Sequence, residues 1–265
     1  MGALLIHWHS IGRTTYVTDI GQQRRMELPD GSHLEMNTQS NVTVNFTATR
    51  REIRLIGGEV MFTVHHDLSR PFRVRVGSEL IEDVGTQFNV RVSAQGTLVS
   101  VTEGQVLIVN TQDAFQSPSA PGRGPGGRSV SAPSHRPMTL VQYDEALISA
   151  DPQTTTPRIS RLSAAQMAVR VSWTHGLVTF VGQTLAEAVA EMNRYNRLRM
   201  EVVDPAIGGL RLGGSFKPTD PLSFAAGLER LGVKSDASEL AGKRSGTIHL
   251  SSSRSTRGQM PPSRP

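Results

Sequence analysis

Four sets of side chains in this sequence have the types that chemistry requires. Glu59 and Glu103 each stand beside a glycine, in Gly58-Glu59 and Glu103-Gly104. Two carboxylates could act as an acid and base pair, but this repeated setting reads as turn or surface positions. His65-His66 and His7-x-His9 carry imidazoles that bind metals. Adjacent strand residues point to opposite faces, so His65 and His66 would not share one ion. His7 and His9 would share a face, yet no carboxylate or cysteine accompanies them. Gly85-Thr86 sets a hydroxyl directly after a glycine; its plain reading is a glycine turn followed by the first residue of a strand. Neither Gly-x-Ser-x-Gly nor His-Glu-x-x-His occurs. The chain has no cysteine, which excludes disulfides, thiolate zinc sites, iron–sulfur clusters and a thiol nucleophile. The expectation is a protein that binds rather than catalyses, with no metal and no cofactor.

Composition narrows the partner. The 265 residues carry a net charge of +5 and 37% hydrophobic residues, enough for two domains with cores. A basic chain raises nucleic acid as a ligand. The arginines are scattered, however (Arg24-Arg25, Arg50-Arg51, Arg194, Arg197, Arg199), and form neither a basic helix nor an aromatic-studded sheet. An acidic protein partner suits this surface better than DNA or RNA. No run reaches the ~18 apolar residues of a membrane helix. Residues 1–9 hold a short apolar patch without a basic flank, unlike a signal peptide. Residues 1–12 read as the remnant of a membrane segment.

The elements that must position these side chains are mostly strands. Residues 13–110 alternate apolar and polar positions in about ten short runs, each ended by Gly, Pro, Asp or Ser. Pro29-Asp30-Gly31-Ser32 predicts a turn, and Gly57-Gly58 predicts a tight hairpin between strands at 53–56 and 59–64. Residues 111–137, rich in Pro, Gly and Ser, read as a disordered loop, followed by returning strands at 138–150 and a linker at 151–172. From 173 to 250 the period switches. Thr184 precedes Leu185, Ala188, Val189 and Met192, with Glu187 completing a capping box. Asp220-Pro221 opens a second helix through Phe224, Leu228 and Leu231, and Gly232 stops it. The tail at 251–265 reads as disordered. The fold class is therefore an all-β N-terminal domain, sandwich or solenoid-like, followed by a small α+β domain of two βαβ halves.

Taken in order, these residues resemble the FecR family of transmembrane sigma-factor regulators. The resemblance rests on Leu28-Pro29-Asp30-Gly31-Ser32 with Asn37-Thr38, on Gly58-Glu59-Val60-Met61-Phe62 with Pro71-Phe72, on Gly85-Thr86-Gln87-Phe88-Asn89-Val90, and on Thr102-Glu103-Gly104. Beyond Trp173 it continues through Asn193-Arg194-Tyr195-Asn196, Asp204-Pro205 and Gly214-Ser215-Phe216, a segment similar to the secretin/TonB short N-terminal domain. The resemblance covers residues 14–250. It implies a periplasmic signal receiver that binds the signalling domain of a TonB-dependent outer-membrane transducer in iron (siderophore) signalling. It also implies an inner-membrane anchor and a cytoplasmic domain that holds the sigma factor. Neither has a counterpart in this sequence; a fragment, a mis-set start and a divergent soluble form all fit. The resemblance further implies self-cleavage at Gly85-Thr86, by attack of the threonine hydroxyl on the preceding carbonyl. Arg194 and Tyr195, types favoured as interface anchors, are the candidates for partner binding, against a plain role closing a helix. The alternative to a signal receiver is a periplasmic sugar- or metal-binding β-module. It needs an apolar site with aromatic platforms, and aromatics are only 5% of the chain.

Overall fold

The structure, a computed structural model, describes residues 13–83, 85–111, 136–151, 153–154, 156–243 and 245–253. His7, His9, nearly all of the predicted Pro/Gly-rich loop and most of the predicted tail lie outside the described residues. Two compact units divide the chain, one of residues 1–19 and 23–167, the other of 20–22 and 168–265.

In the first unit β1 (Thr14–Val17), β2 (Arg24–Glu27), β3 (His33–Met36) and β4 (Asn41–Phe46) lead into the long β5 (Arg51–Thr63). Then come β6 (Phe72–Val76), β7 (Glu79–Asp83), β8 (Gln87–Ser93), β9 (Gly96–Glu103) and β10 (Gln105–Asn110). β11 (Met138–Val141), β12 (Asp144–Ser149) and β13 (Arg158–Arg161) complete one continuous sheet. The N-terminal half of β5 pairs with β4 and, in parallel, with β6; its C-terminal half pairs antiparallel with β3 and β8. β5 is therefore shared by two arms of a sheet that curls on itself. The inner faces of both arms close one core, where Phe62 lies 5.0 Å from Phe88 and 6.0 Å from Phe72, ring centre to ring centre. Each such fully buried ring contributes roughly 1.5–3 kcal/mol relative to exposure. The arrangement is sandwich-like rather than a solenoid.

The predicted hairpin at Gly57-Gly58 does not form. β5 runs straight through the pair, because the step from Asn41–Gly57 to Val42–Leu55 in the β4 register inserts Ile56 as a bulge. The bulge bends the strand and flips its phase, so Ile53 and Leu55 face the core before it and Val60 and Phe62 after it. Ile56 itself is 55% exposed. Gly58 sits at φ +89°, where a Cβ would stand 2.3 Å from Ser40 Cα, so only glycine fits this crossing. The glycines mark a corner between sheet arms rather than the end of a strand. A second departure concerns residues 151–172, expected as a linker. They contain β13, paired antiparallel with β12, and the helix α1 (Ala164–Arg170). Ser163 and Gln166 exchange hydrogen bonds at the start of α1, a cap that its short apolar face conceals in sequence.

The second unit contains β14 (Val178–Thr184), α2 (Leu185–Asn193), β15 (Leu198–Val202), β16 (Arg211–Phe216), α3 (Pro221–Leu228), β17 (Val233–Ser235) and β18 (Gly246–Ser252). Two strand–helix–strand halves follow one another as expected, yet the strands pair across the halves. β14 pairs antiparallel with β16, while β15 pairs in parallel with β18, which also carries β17. Both helices start where their caps predict. Thr184 Oγ1 accepts from Glu187 N–H at 3.2 Å while the Glu187 carboxylate accepts from Thr184 N–H at 2.8 Å. Asp220 accepts from Ser223 N–H at 3.0 Å, with Pro221 in the first turn. Leu185, Ala188, Val189, Met192, Phe224 and Leu228 turn inward to the core of this unit.

Candidate functional site

Gly85-Thr86 lies between β7 and β8, and three separate segments converge on it. Asp83, the last residue of β7, bridges the two residues with its carboxylate. Its Oδ1 accepts from Gly85 N–H at 3.1 Å and its Oδ2 from Thr86 N–H at 3.2 Å. The His66 ring rests on Gly85, where an added Cβ would stand 2.6 Å from Nδ1; with φ at +150°, this position accepts glycine alone. Thr86 Cγ2 packs against Gly104, leaving 2.5 Å to a Cβ built there, so the Glu103-Gly104 turn floors the site. The carbonyl of Thr86 accepts from Val64 N–H at 2.9 Å. Thr86 is 7% exposed, and its Oγ1 has no hydrogen-bond partner among the described residues. A buried hydroxyl without a partner forgoes an interaction that water would have supplied.

The segment that brings His66 to this corner is itself tied to the core by Arg51. Following the phase of Ile53 and Leu55, Arg51 points inward and is 0% exposed. Its Nη1 donates to Asp30 Oδ2 at 3.0 Å and to the His65 carbonyl at 2.8 Å. Its Nε reaches the Arg70 carbonyl at 2.6 Å and its Nη2 the Asp67 carbonyl at 3.2 Å. Asp30, the aspartate of the Pro29-Asp30-Gly31-Ser32 turn, also accepts from the Ser32 amide and hydroxyl. Within the same segment Asp67 accepts from the Ser69 hydroxyl and from Arg70 Nε. The Ser69 hydrogen bonds, then Arg70, hold the Asp67 carboxyl well below the usual carboxylate range.

Glu59 departs from its expected surface role. It is 2% exposed, and its two carboxylate oxygens accept from Asn37 Nδ2 at 2.9 Å and Asn89 Nδ2 at 3.1 Å. Gln23 Nε2 extends the chain to Asn37 Oδ1, and Ser40 Oγ bonds both the amide and the carbonyl of Glu59. Three stretches far apart in sequence thus meet on one carboxylate. Glu103 is exposed at the end of β9, so the two glutamates occupy opposite environments. His65 is likewise exposed, with its amide donating to Ser32 Oγ. Among the described residues no three His, Asp or Glu side chains cluster as metal ligands do.

In the second unit, Asn193-Arg194-Tyr195-Asn196 ends α2. Asn193 exchanges two hydrogen bonds with the backbone of Met200, and Asn196 Nδ2 donates to the carbonyls of Met192 and Pro218. Tyr195 is 3% exposed and belongs to the core. Arg194 pairs with Glu191 at 2.5 Å and lies 5.5 Å over the Tyr195 ring. Of the two predicted interface residues, Arg194 alone offers surface.

These features set the chain beside known proteins. Residues 14–107 match the family described as FecR protein. Over that stretch the chain is similar to FecR proteins. No curated protein sequence matches it. Two crystal structures of a candidate anti-sigma factor from Parabacteroides distasonis ATCC 8503, at 2.50 and 1.65 Å resolution, share its fold with TM-scores of 0.63 and 0.64. Identity is 18% in both, over 90% of this chain and 98% and 99% of theirs. The FecR match spans β1 to β10, so it includes the Glu59 network, the Arg51–Asp30 pair and the Gly85-Thr86 corner.

The sequence drew attention to Gly85-Thr86, to His66 only as a metal ligand and to Glu59 only as a turn or surface residue, and Asp83, Arg51 and the partners of Glu59 went unnoticed. Two of these carried a signal. Arg51 shares the parity of Ile53 and Leu55, and Asp83 stands two and three residues before the amides it caps, the spacing of an Asx turn.

Proposed function

We propose that this chain is a FecR-family protein, the signal-receiving part of a regulator of an extracytoplasmic-function sigma factor. It works in the periplasm and binds the signalling domain of a TonB-dependent outer-membrane transducer in iron (siderophore) signalling. The observation that carries this reading is a FecR domain followed, in the same chain, by a small α+β unit of two βαβ halves. Its likeness in fold to a candidate anti-sigma factor supports the sigma-factor side of the reading. The second unit provides a means of docking. Among the described strands β14 hydrogen-bonds to β16 alone; the amides of Thr179 and Val181 donate to the Ser172 and Gln183 side chains, bonds that an added strand would replace, and Val181 is exposed. Arg194, ion-paired with Glu191 in the same unit, is the candidate contact for an acidic partner that would take over this pairing. The signal then passes to the sigma factor through a membrane helix or through proteolysis. A pull-down of this chain with the signalling domains of transducers encoded beside it tests the reading; capture of none contradicts it. A thermal-shift screen against metals and glycans separates it from the β-module alternative, which requires a stabilising ligand.

One specific observation favours a second property, self-cleavage between Gly85 and Thr86. The Thr86 hydroxyl is buried without a partner among the described residues, directly after a glycine, which adds no side chain of its own at the carbonyl. Intact-mass measurement after expression detects it as two fragments that Thr86→Ala abolishes. A single intact chain contradicts it.

A further inference from the structure

We propose that Asp83 is the proton-transfer residue of the Gly85-Thr86 rearrangement; this rests on the self-cleavage reading above. In the rearrangement the Thr86 Oγ1–H bond breaks and Oγ1 bonds to the Gly85 carbonyl carbon. The bond from that carbon to Thr86 N then breaks, and the nitrogen leaves as an amine carrying the proton that Oγ1 gave up. Water finally hydrolyses the resulting ester, returning the hydroxyl to Thr86 and leaving a carboxylate on Gly85. No oxidant or further reactant enters. The step demands a group that takes a proton from oxygen and gives it to nitrogen.

Asp83 stands at the nitrogen end of that task, and a turn of the Thr86 side chain is required to bring Oγ1 to it. Its Oδ2 is 3.2 Å from Thr86 N, the atom that must be protonated for the chain to part. Its Oδ1 holds Gly85 N–H at 3.1 Å, fixing the residue whose carbonyl is attacked. The carboxylate is 3% exposed, and no cation pairs with it among the described residues, so its lone pairs are committed to these two amides alone. A rotation about the Thr86 Cα–Cβ bond turns Oγ1, which has no partner among the described residues, while Asp83 holds the amide. His66 covers Gly85, and Gly104 underlies the Thr86 methyl, leaving Asp83 as the carboxylate at the reacting bond.

The test compares wild type, Thr86→Ala, Asp83→Asn and Asp83→Glu, each refolded from denaturant and sampled over time by intact mass. Hydroxylamine, which cleaves esters and spares amides, reports the intermediate in parallel. Wild type is expected to split at Gly85-Thr86, and Asp83→Asn to do so about 10²-fold more slowly or beyond, the scale of general acid–base catalysis, with less ester trapped. A purely structural role for Asp83 would lower the melting temperature and leave ester formation in the folded fraction at the wild-type rate. A folded Asp83→Asn that cleaves as fast as wild type overturns the assignment. If Asp83→Asn does not fold, Asp83→Glu decides: cleavage by the folded variant supports the role, and an inert folded variant overturns it. Wild type that never cleaves sinks the self-cleavage reading itself, a result distinct from the others.

Discussion

Replacing Glu59 with alanine is the sharpest probe of the first unit. The change removes a carboxylate that accepts from Asn37 Nδ2 and Asn89 Nδ2 inside the sheet. Both asparagines are fully buried, so each amide would lose an acceptor away from water. A stranded buried donor costs roughly 1–3 kcal/mol, giving about 2–6 kcal/mol for the pair. That is a large part of the ~5–15 kcal/mol that holds a typical domain together. Glu59→Gln keeps one acceptor and turns an amide donor toward the other asparagine, so its cost is expected at about half as much. Glu103→Ala, at an exposed strand end, is expected to stay within about 0.5 kcal/mol of wild type. Urea unfolding followed by far-ultraviolet circular dichroism measures all three. If Glu59→Ala and Glu103→Ala shift the midpoint equally little, the buried network is not what secures the corner of β5.

Arg51→Met breaks the ion pair with buried Asp30 and releases the segment that carries His66; denaturant unfolding should register a loss of roughly 3–5 kcal/mol. Gly58→Ala forces a left-handed side chain into the Ser40 backbone and should cost about 2–5 kcal/mol by the same measurement. The caps of α2 and α3 predict an acid sensitivity. Hydrogen bonds to Thr184 hold the Glu187 carboxyl below its ordinary pKa, and hydrogen bonds to Ser223 do the same for Asp220. A depressed folded-state pKa contributes stability that is full above the ordinary carboxylate range and is lost as pH falls through the folded value. Thermal melts should therefore show acid weakening that is smaller in Glu187→Gln combined with Asp220→Asn.

What the sequence revealed depended on how local its cause was. Caps, turns and alternation act over a few residues, so Thr184-Glu187, Asp220-Pro221 and the strand at 72–76 read correctly. The path of β5 did not, because a glycine pair serves a hairpin and a sheet corner equally well. Only the partners β4 and β8, and the close approach of Ser40 to Gly58, separate the two. Glu59 was misread because a neighbouring glycine, as at Glu103, suggests a turn or surface position, whereas the through-going strand carries it between Asn37 and Asn89. The pairing of β14 with β16 and of β15 with β18 lies equally beyond local periodicity, since it is set by how two helices share one core. At the candidate site Gly85-Thr86 was singled out in sequence and its surroundings were not. Asp83 is local, but His66 reaches Gly85, and Gly104 reaches Thr86, only through the folding of the sheet.

The claim that this chain receives a signal from another protein is tested most directly by calorimetric titration with the signalling domain of its neighbouring TonB-dependent transducer. The account predicts saturable one-to-one binding that weakens when Arg194 or Val181 is replaced by glutamate. An absence of heat and of complex with every such domain would contradict it.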